Sequence, residues 1–137
     1  MLDRAFVKAE SEIWNAKRNL KKILDEVEGV RGLENHEAYV LLDNLVERLE
    51  DAERELVYLQ KPTKEGTLIE DGDTGKFFIS YNDGSKSYLL SCGNGLELFY
   101  DDEWHIGRVE AKDGKYYFYG EDRPFLHTGM RARKRVD

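Results

Sequence analysis

One cysteine, Cys92, is all that 137 residues contain. No disulfide can close within the chain, and no cysteine-rich zinc site can be built. A chain without disulfides suits a reducing compartment, so the cytoplasm is the expected location. Long apolar runs are missing as well. Residues 38–42 are among the longest, far short of the roughly 20 residues a membrane helix needs. Met1-Leu2-Asp3-Arg4-Ala5 runs straight into a charged pattern without a signal-peptide core. A soluble protein without membrane attachment is expected. Basic residues are in deficit too: 21 Lys and Arg against 28 Asp and Glu give a net charge of −7. That balance argues against general nucleic-acid or anionic-membrane binding. It suits a basic protein partner or mimicry of a polyanion. With only 2 prolines, 36% charged and 40% hydrophobic residues, the chain is neither disordered nor low in complexity.

What is present falls into two halves with different periodicities. Residues 2–28 carry Leu2, Phe6, Ala9, Ile13, Ala16, Leu20, Ile23 and Val27, spaced alternately four and three apart, which places them on one helical stripe. Residues 38–59 repeat the pattern with Ala38, Leu42, Leu45, Leu49, Ala52, Leu56 and Leu59. Gly29 and Gly32 between them permit a helix C-cap, and Asn35 can cap the next helix. The spacing predicts an antiparallel, coiled-coil-like hairpin over 1–61. Numbers of facing residues should then share a constant sum, so that Val27 meets Ala38, Ile23 meets Leu42, Ala16 meets Leu49 and Phe6 meets Leu59. Each Ala would thereby oppose a larger side chain, keeping layer volume even. Val7, Trp14, Leu24, Leu41, Val46 and Val57 lie off this seam and need other cover.

Pro62 ends the helical pattern, and 62–66 reads as a short linker. From Thr67 the chain turns to short β-rich runs, predicted at 67–70, 76–81, 87–91, 96–100, 104–111, 115–119 and 130–136. Turn residues separate them: Asp71-Gly72-Asp73-Thr74-Gly75, Asn82-Asp83-Gly84-Ser85, Gly93-Asn94-Gly95 and the tight-hairpin pair Asp113-Gly114. Twelve of the sixteen aromatic residues lie here, enough to fill a small core. The fold class expected is α+β: a helical hairpin followed by a small SH3-like antiparallel β-barrel over 67–137.

Several runs in this half, Gly93-Asn94-Gly95-Leu96-Glu97-Leu98, Trp104-His105-Ile106-Gly107-Arg108-Val109-Glu110, Tyr116-Tyr117-Phe118 and Gly129-Met130-Arg131-Ala132-Arg133, resemble an uncharacterised family of small β domains of unknown function. The likeness covers residues 66–136 and leaves the hairpin outside; its most specific part is the run from Trp104 to Glu110. The family is associated with Gram-positive bacteria, phages and mobile elements. The resemblance therefore implies a fold and a genomic neighbourhood but no reaction.

Candidate chemistry is sparse. His105, Asp102 and His127 could be drawn into a metal or acid–base site, but no pair has ligand spacing, and solvated turn residues are the better reading. Asp71 to Gly75 is similar to half of a calcium loop without its distal glutamate and reads as a hairpin turn. Cys92, at a strand end, reads as a packing residue rather than a nucleophile. No phosphate loop, zinc-protease motif or nucleophile elbow occurs, so neither catalytic residue, metal nor cofactor is assigned. Arg131, Arg133 and Arg135 alternate along one strand and share a face; Asp101, Asp102 and Glu103 are expected to neutralise them. Arg108, Glu110 and Ile106 share a face with Trp104, which is expected to fill the barrel.

These readings converge on a non-enzymatic protein-interaction module, in its sharpest form a phage or mobile-element inhibitor or adaptor acting on a host nucleoprotein, anti-CRISPR-like, with acidic surface occupying a basic channel. The candidate contact residues are Trp14, Val7, Arg108, Glu110, Asp101, Asp102, Glu103, Arg131, Arg133 and Arg135. Two rivals stand beside it. One is a nucleic-acid-binding accessory protein using the Arg131, Arg133 and Arg135 strand. The other is a structural homo-oligomer, a homodimer pairing hairpins through Trp14, Val7 and Val57.

Overall fold

The computed structural model describes residues 2–137. It contains two helices followed by six strands: α1 (Arg4–Glu26), α2 (Leu33–Gln60), β1 (Thr63–Glu70), β2 (Phe77–Tyr81), β3 (Gly95–Tyr100), β4 (Glu103–Lys112), β5 (Lys115–Tyr119) and β6 (Arg131–Arg135). The chain divides into two compact units, Met1–Lys61 and Pro62–Asp137. No described helix is long and apolar enough to cross a membrane.

The first unit is the antiparallel hairpin. Asp3 starts α1 by accepting a hydrogen bond from the Ala5 amide at 2.9 Å. The chain leaves α1 through Gly29 at φ +83°. The second helix begins earlier than its seam suggested. Gly32 is its N-cap, without a side-chain cap, and the Asn35 amide instead donates to the Arg31 carbonyl at 2.8 Å.

The helices pair in a different register from the one the seams predicted. Lys17 reaches Glu53 at 3.2 Å, Lys21 reaches Glu50 at 2.8 Å, and Gln60 donates to Glu10 at 2.8 Å. All three place α2 more than a helical turn away from the expected alignment. Leu24 and Val46, expected off the seam, are the two buried side chains of the helices, 7% and 5% exposed. Phe6 and Ile23, expected on it, are 58% and 43% exposed. The physical reason lies in the charged pairs. An apolar stripe tolerates sliding, because leucine meets leucine again a turn later, whereas Lys17 and Glu53 satisfy each other in one register only.

The second unit is a six-stranded, wholly antiparallel sheet in the order β2-β1-β6-β3-β4-β5. The last strand thus returns to sit between β1 and β3. Two strand predictions change. Residues 63–66, read as linker, form the start of β1 and pair with β6 from Thr63↔Arg135. Residues 87–91 form no strand, because the Ser87 hydroxyl accepts the Ile79 amide at 2.8 Å in place of a ladder carbonyl.

The closed barrel is corrected as well: the sheet is open, with β2 and β5 as its edges among the described residues. Irregular segments occupy those edges. Ser87 and Leu90 amides bond to Ile79 and Phe77 carbonyls beside β2, and the Phe118 amide and Tyr116 carbonyl of β5 bond to Pro124 and Leu126. Both edges are thereby covered without closure.

The core lies on one face of this sheet: Leu68, Phe77, Ile79, Tyr81, Leu96, Leu98, Val109, Phe118 and Ala132, joined by Leu90 and Leu126 from the covering segments. Side chains alternate along each strand, so the odd-numbered residues of β3 and β6 face the other way. Gly66 lets the strands close up on the core side. A Cβ there would lie 2.7 Å from Tyr81 Cα and 2.8 Å from an Ile79 methyl.

Candidate functional site

Opposite the core, the sheet presents an arginine–aromatic face. Its anchor is Glu97 on β3, the one buried charged residue among those described, with 0% exposure. Pairing puts Arg133 of β6 directly beside it and Arg135 one step along the same face. Arg133 Nε donates to Glu97 Oε1 at 3.0 Å and Arg135 Nε to Oε2 at 2.8 Å, so both carboxylate oxygens are engaged. Arg131, at the other end of β6, donates to Glu65 Oε1 of β1 at 2.6 Å. On β4, Arg108 donates to Glu110 at 2.8 Å.

Aromatic rings lie against the guanidinium groups of Arg108, Arg131 and Arg133. Phe99 and Trp104, paired across β3 and β4, meet edge-on at 5.3 Å. Arg131 lies 4.5 Å from the Phe99 ring centre and Arg133 4.2 Å from that of Trp104. Arg108 and Arg123 both lie 4.4 Å from Tyr119. Guanidinium stacking on rings is favourable alongside the ion pairs. Next to this lattice Ile106 stands 53% exposed.

The structure brings together Arg108, Glu110, Arg131, Arg133 and Arg135 of the residues singled out in the sequence. It moves others. Trp104 is half-buried on the outer face rather than within the core, because Val109 and His105 take the inward positions of β4 and alternation sends Trp104 outward. Asp101, Asp102 and Glu103 do not neutralise the arginines. Asp101 and Asp102, at φ +51° and +62°, make the β3–β4 turn, while Glu65 and Glu97 are the carboxylates that pair with Arg131, Arg133 and Arg135. Burial raises the Tyr100 phenol above its ordinary value, and the charges of Asp122, Asp101, Glu121 and Glu103 add to the effect. Val7 and Trp14 belong to the hairpin unit, where they line a shallow groove with Glu10, Ser11 and Glu53.

The remaining polar candidates have local partners. His105 stacks on Tyr100 at 3.8 Å and bonds its carbonyl at 3.1 Å; His127 reaches the Thr128 carbonyl. Asp71 caps its own turn through Thr74, and Cys92 is exposed. No group of three potential metal ligands converges among the described residues. Glu65 and Glu97 escaped the sequence reading. The signal for them was present: three arginines on one face of a strand call for carboxylates on the same face of its neighbours.

The sequence profile of a family described as a domain of unknown function, DUF5348, matches residues 66–134, half of the chain. The chain belongs to this family. The DUF5348 match covers every residue of the arginine–aromatic face except Glu65 and Arg135, and it leaves the hairpin outside. A crystal structure of a protein from Ruminococcus gnavus, a structural-genomics target, is 33% identical; the alignment covers 50% of this chain and 97% of that one, with a TM-score of 0.44. No curated protein matches the chain.

Proposed function

We propose that the chain is a non-enzymatic protein-interaction module whose DUF5348 unit binds a protein partner through the face around Glu97. The observation that carries this reading is the pre-paired lattice of Arg108, Arg131 and Arg133 over Tyr119, Phe99 and Trp104. Arginine and large aromatics dominate binding hot spots. Side chains already fixed in one geometry lose less entropy on association. Ile106 adds an exposed apolar contact. The same pairing disfavours nucleic acid, since phosphates would have to draw the guanidinium groups away from Glu65, Glu97 and Glu110. In its specific form, the module is an SH3-like scaffold opened along one seam and used by a phage or mobile element of Gram-positive bacteria. Its target is then a host nucleoprotein, met in an anti-CRISPR-like manner, whose basic surface would meet the acidic surface that the chain, at a net charge of −7, carries outside the arginine face.

The test compares affinity capture by the wild-type chain with capture by a Trp104→Ala, Arg131→Ala variant whose fold is verified by circular dichroism. A protein retained by the first and lost by the second is the expected result. Equal capture by both would sink the reading. So would salt-sensitive binding of DNA or RNA that disappears when Arg131, Arg133 and Arg135 become alanine.

A further inference from the structure

The outer face of the sheet is more basic than the chain that carries it. Alternation puts six strand cations there: Arg131, Arg133 and Arg135 on β6, Arg108 and Lys112 on β4, and Lys115 on β5. Arg123 joins them by lying on Tyr119. Against these stand Glu65, Glu97 and Glu110, with Asp113 in the β4–β5 turn. Seven cations against four carboxylates leave the face an excess of three positive charges, in a chain of net charge −7. Asp101, Glu103, Glu121 and Asp122 belong to the other side. Their charges act on Tyr100, which alternation with Leu96 and Leu98 turns toward the core.

The excess gathers at the β5 end. Arg131, Arg133 and Arg135 have Glu65 and Glu97, and Arg108 has Glu110. Lys112 and Lys115 stand directly opposite each other across the hairpin, an arrangement that repels. Arg123 has the Tyr119 ring and no carboxylate partner among the described residues. Between these cations lie Tyr117 and Phe125, paired at the edge of β5, with Phe125 58% exposed.

We propose that this end of the face takes an acidic, extended peptide segment of the partner, with carboxylates four residues apart around one apolar side chain. The proposal rests on the reading of the outer face as a protein-binding surface and adds the chemistry of what docks there. Charge complementarity selects the occupant. Screening over about 8 Å makes the local excess decide, whatever the charge of either protein as a whole. Spacing selects the pattern. Lys115 and Tyr119, which carries Arg123, are four residues apart on β5, or about 13 Å. Residues i and i+4 of an extended segment laid along β5 match that distance, and residue i+2 falls over Tyr117 and Phe125. Nucleic acid fits less well. Single strands stack their bases on open aromatic rings, whereas Tyr119 already carries Arg108 and Arg123, each 4.4 Å from its centre.

Amide chemical shifts of the full chain at low salt test this with the capped peptide Ser-Glu-Ser-Leu-Ser-Glu-Ser. Shifts at Lys112, Lys115, Tyr117, Tyr119 and Arg123 are expected. Replacing both peptide glutamates by glutamine should weaken binding about tenfold, as the loss of two exposed ion pairs requires. The Lys112→Glu, Arg123→Glu variant should weaken it at least as much. Both side chains are exposed, and the same spectra report that the variant is folded. Equal affinity for the glutamine peptide would overturn the proposal, as would the absence of shifts at about 1 mM peptide. A thymidine oligonucleotide bound more tightly at the same residues would overturn it in favour of nucleic acid. The Trp104→Ala, Arg131→Ala variant separates this proposal from the broader reading. It should keep the peptide, since neither residue lies at the β5 end. If it loses the peptide while Lys112→Glu, Arg123→Glu retains it, docking lies around Glu97, so this proposal fails and the broader reading stands. If protein capture is unchanged by Trp104→Ala, Arg131→Ala, the broader reading falls, and the peptide shifts still decide the chemistry of the β5 end.

Discussion

Glu97 sits between Leu96 and Leu98 on β3, and in the sequence it looks like the solvent-facing member of an alternating strand. Its burial is possible only because Arg133 and Arg135 cover it from β6, their side chains 22% and 14% exposed. Removing one member of a buried ion-pair cluster strands the others without solvent. Glu97→Ala should therefore cost about 3–5 kcal/mol. Arg131 pairs with Glu65 at a side chain 52% exposed, so Arg131→Ala should cost under about 1 kcal/mol. Urea denaturation of both variants checks the ranking; equal losses would remove Glu97 from its role as anchor. Asp83 offers a separate, pH-dependent readout. Hydrogen bonds from the Ser85 hydroxyl and amide, then from Lys64, lower its pKa from 3.8 to about 2. A carboxylate depressed on folding stabilises the fold above its unfolded value and loses that contribution as pH falls toward the folded one. Stability lost between pH 4 and 2 should thus be smaller in Asp83→Asn than in the wild type, measured by acid titration of the melting temperature.

At the level of elements, the sequence disclosed which segments are helical but not how they align. The alternation of Leu20, Ile23 and Val27 with Ile13 and Ala16 specifies a helix, which is present, but Ile23 and Val27 are exposed and the off-stripe Leu24 is buried instead. The register is not legible because apolar residues pair acceptably in several alignments, and the sequence alone does not mark Lys17 and Glu53 as partners across the seam. The Asp113-Gly114 hairpin was legible from two residues, since the turn needs positive φ at both and they show +54° and +77°. The outward Trp104 was not, because alternation leaves two faces open and says nothing of which one is covered. The half-buried Lys17–Glu53 pair invites a test. Lys17→Leu alone leaves Glu53 partnerless and should destabilise the hairpin by about 1–3 kcal/mol. Adding Glu53→Leu should restore stability fully or raise it above wild type by about 1–4 kcal/mol. Thermal melts followed by far-ultraviolet circular dichroism decide; a double variant weaker than the single one would show that the seam depends on its charges.

For the molecule as a whole, the two units differ in how much each can sustain alone. The sheet unit has a contiguous core of eleven buried side chains, and both of its edges are covered by its own segments. The hairpin has two buried side chains, Leu24 and Val46, and in proteins most helical stability comes from tertiary packing of the apolar face. A cut before Pro62 respects this division, because the Val136 amide bonds to the Pro62 carbonyl and ties the last strand to the first. Residues 62–137 expressed alone should therefore unfold in one cooperative transition, with a midpoint independent of concentration. Residues 1–61 alone should melt broadly, as followed by far-ultraviolet circular dichroism. Removing residues 62–66 as well should weaken the sheet unit, since Thr63, Lys64, Glu65 and Gly66 pair with β6 and Glu65 holds Arg131. If the fragment starting at residue 67 were as stable as the one starting at 62, the start of β1 would be dispensable and the pairing that orients the arginine face would have to come from β3 alone.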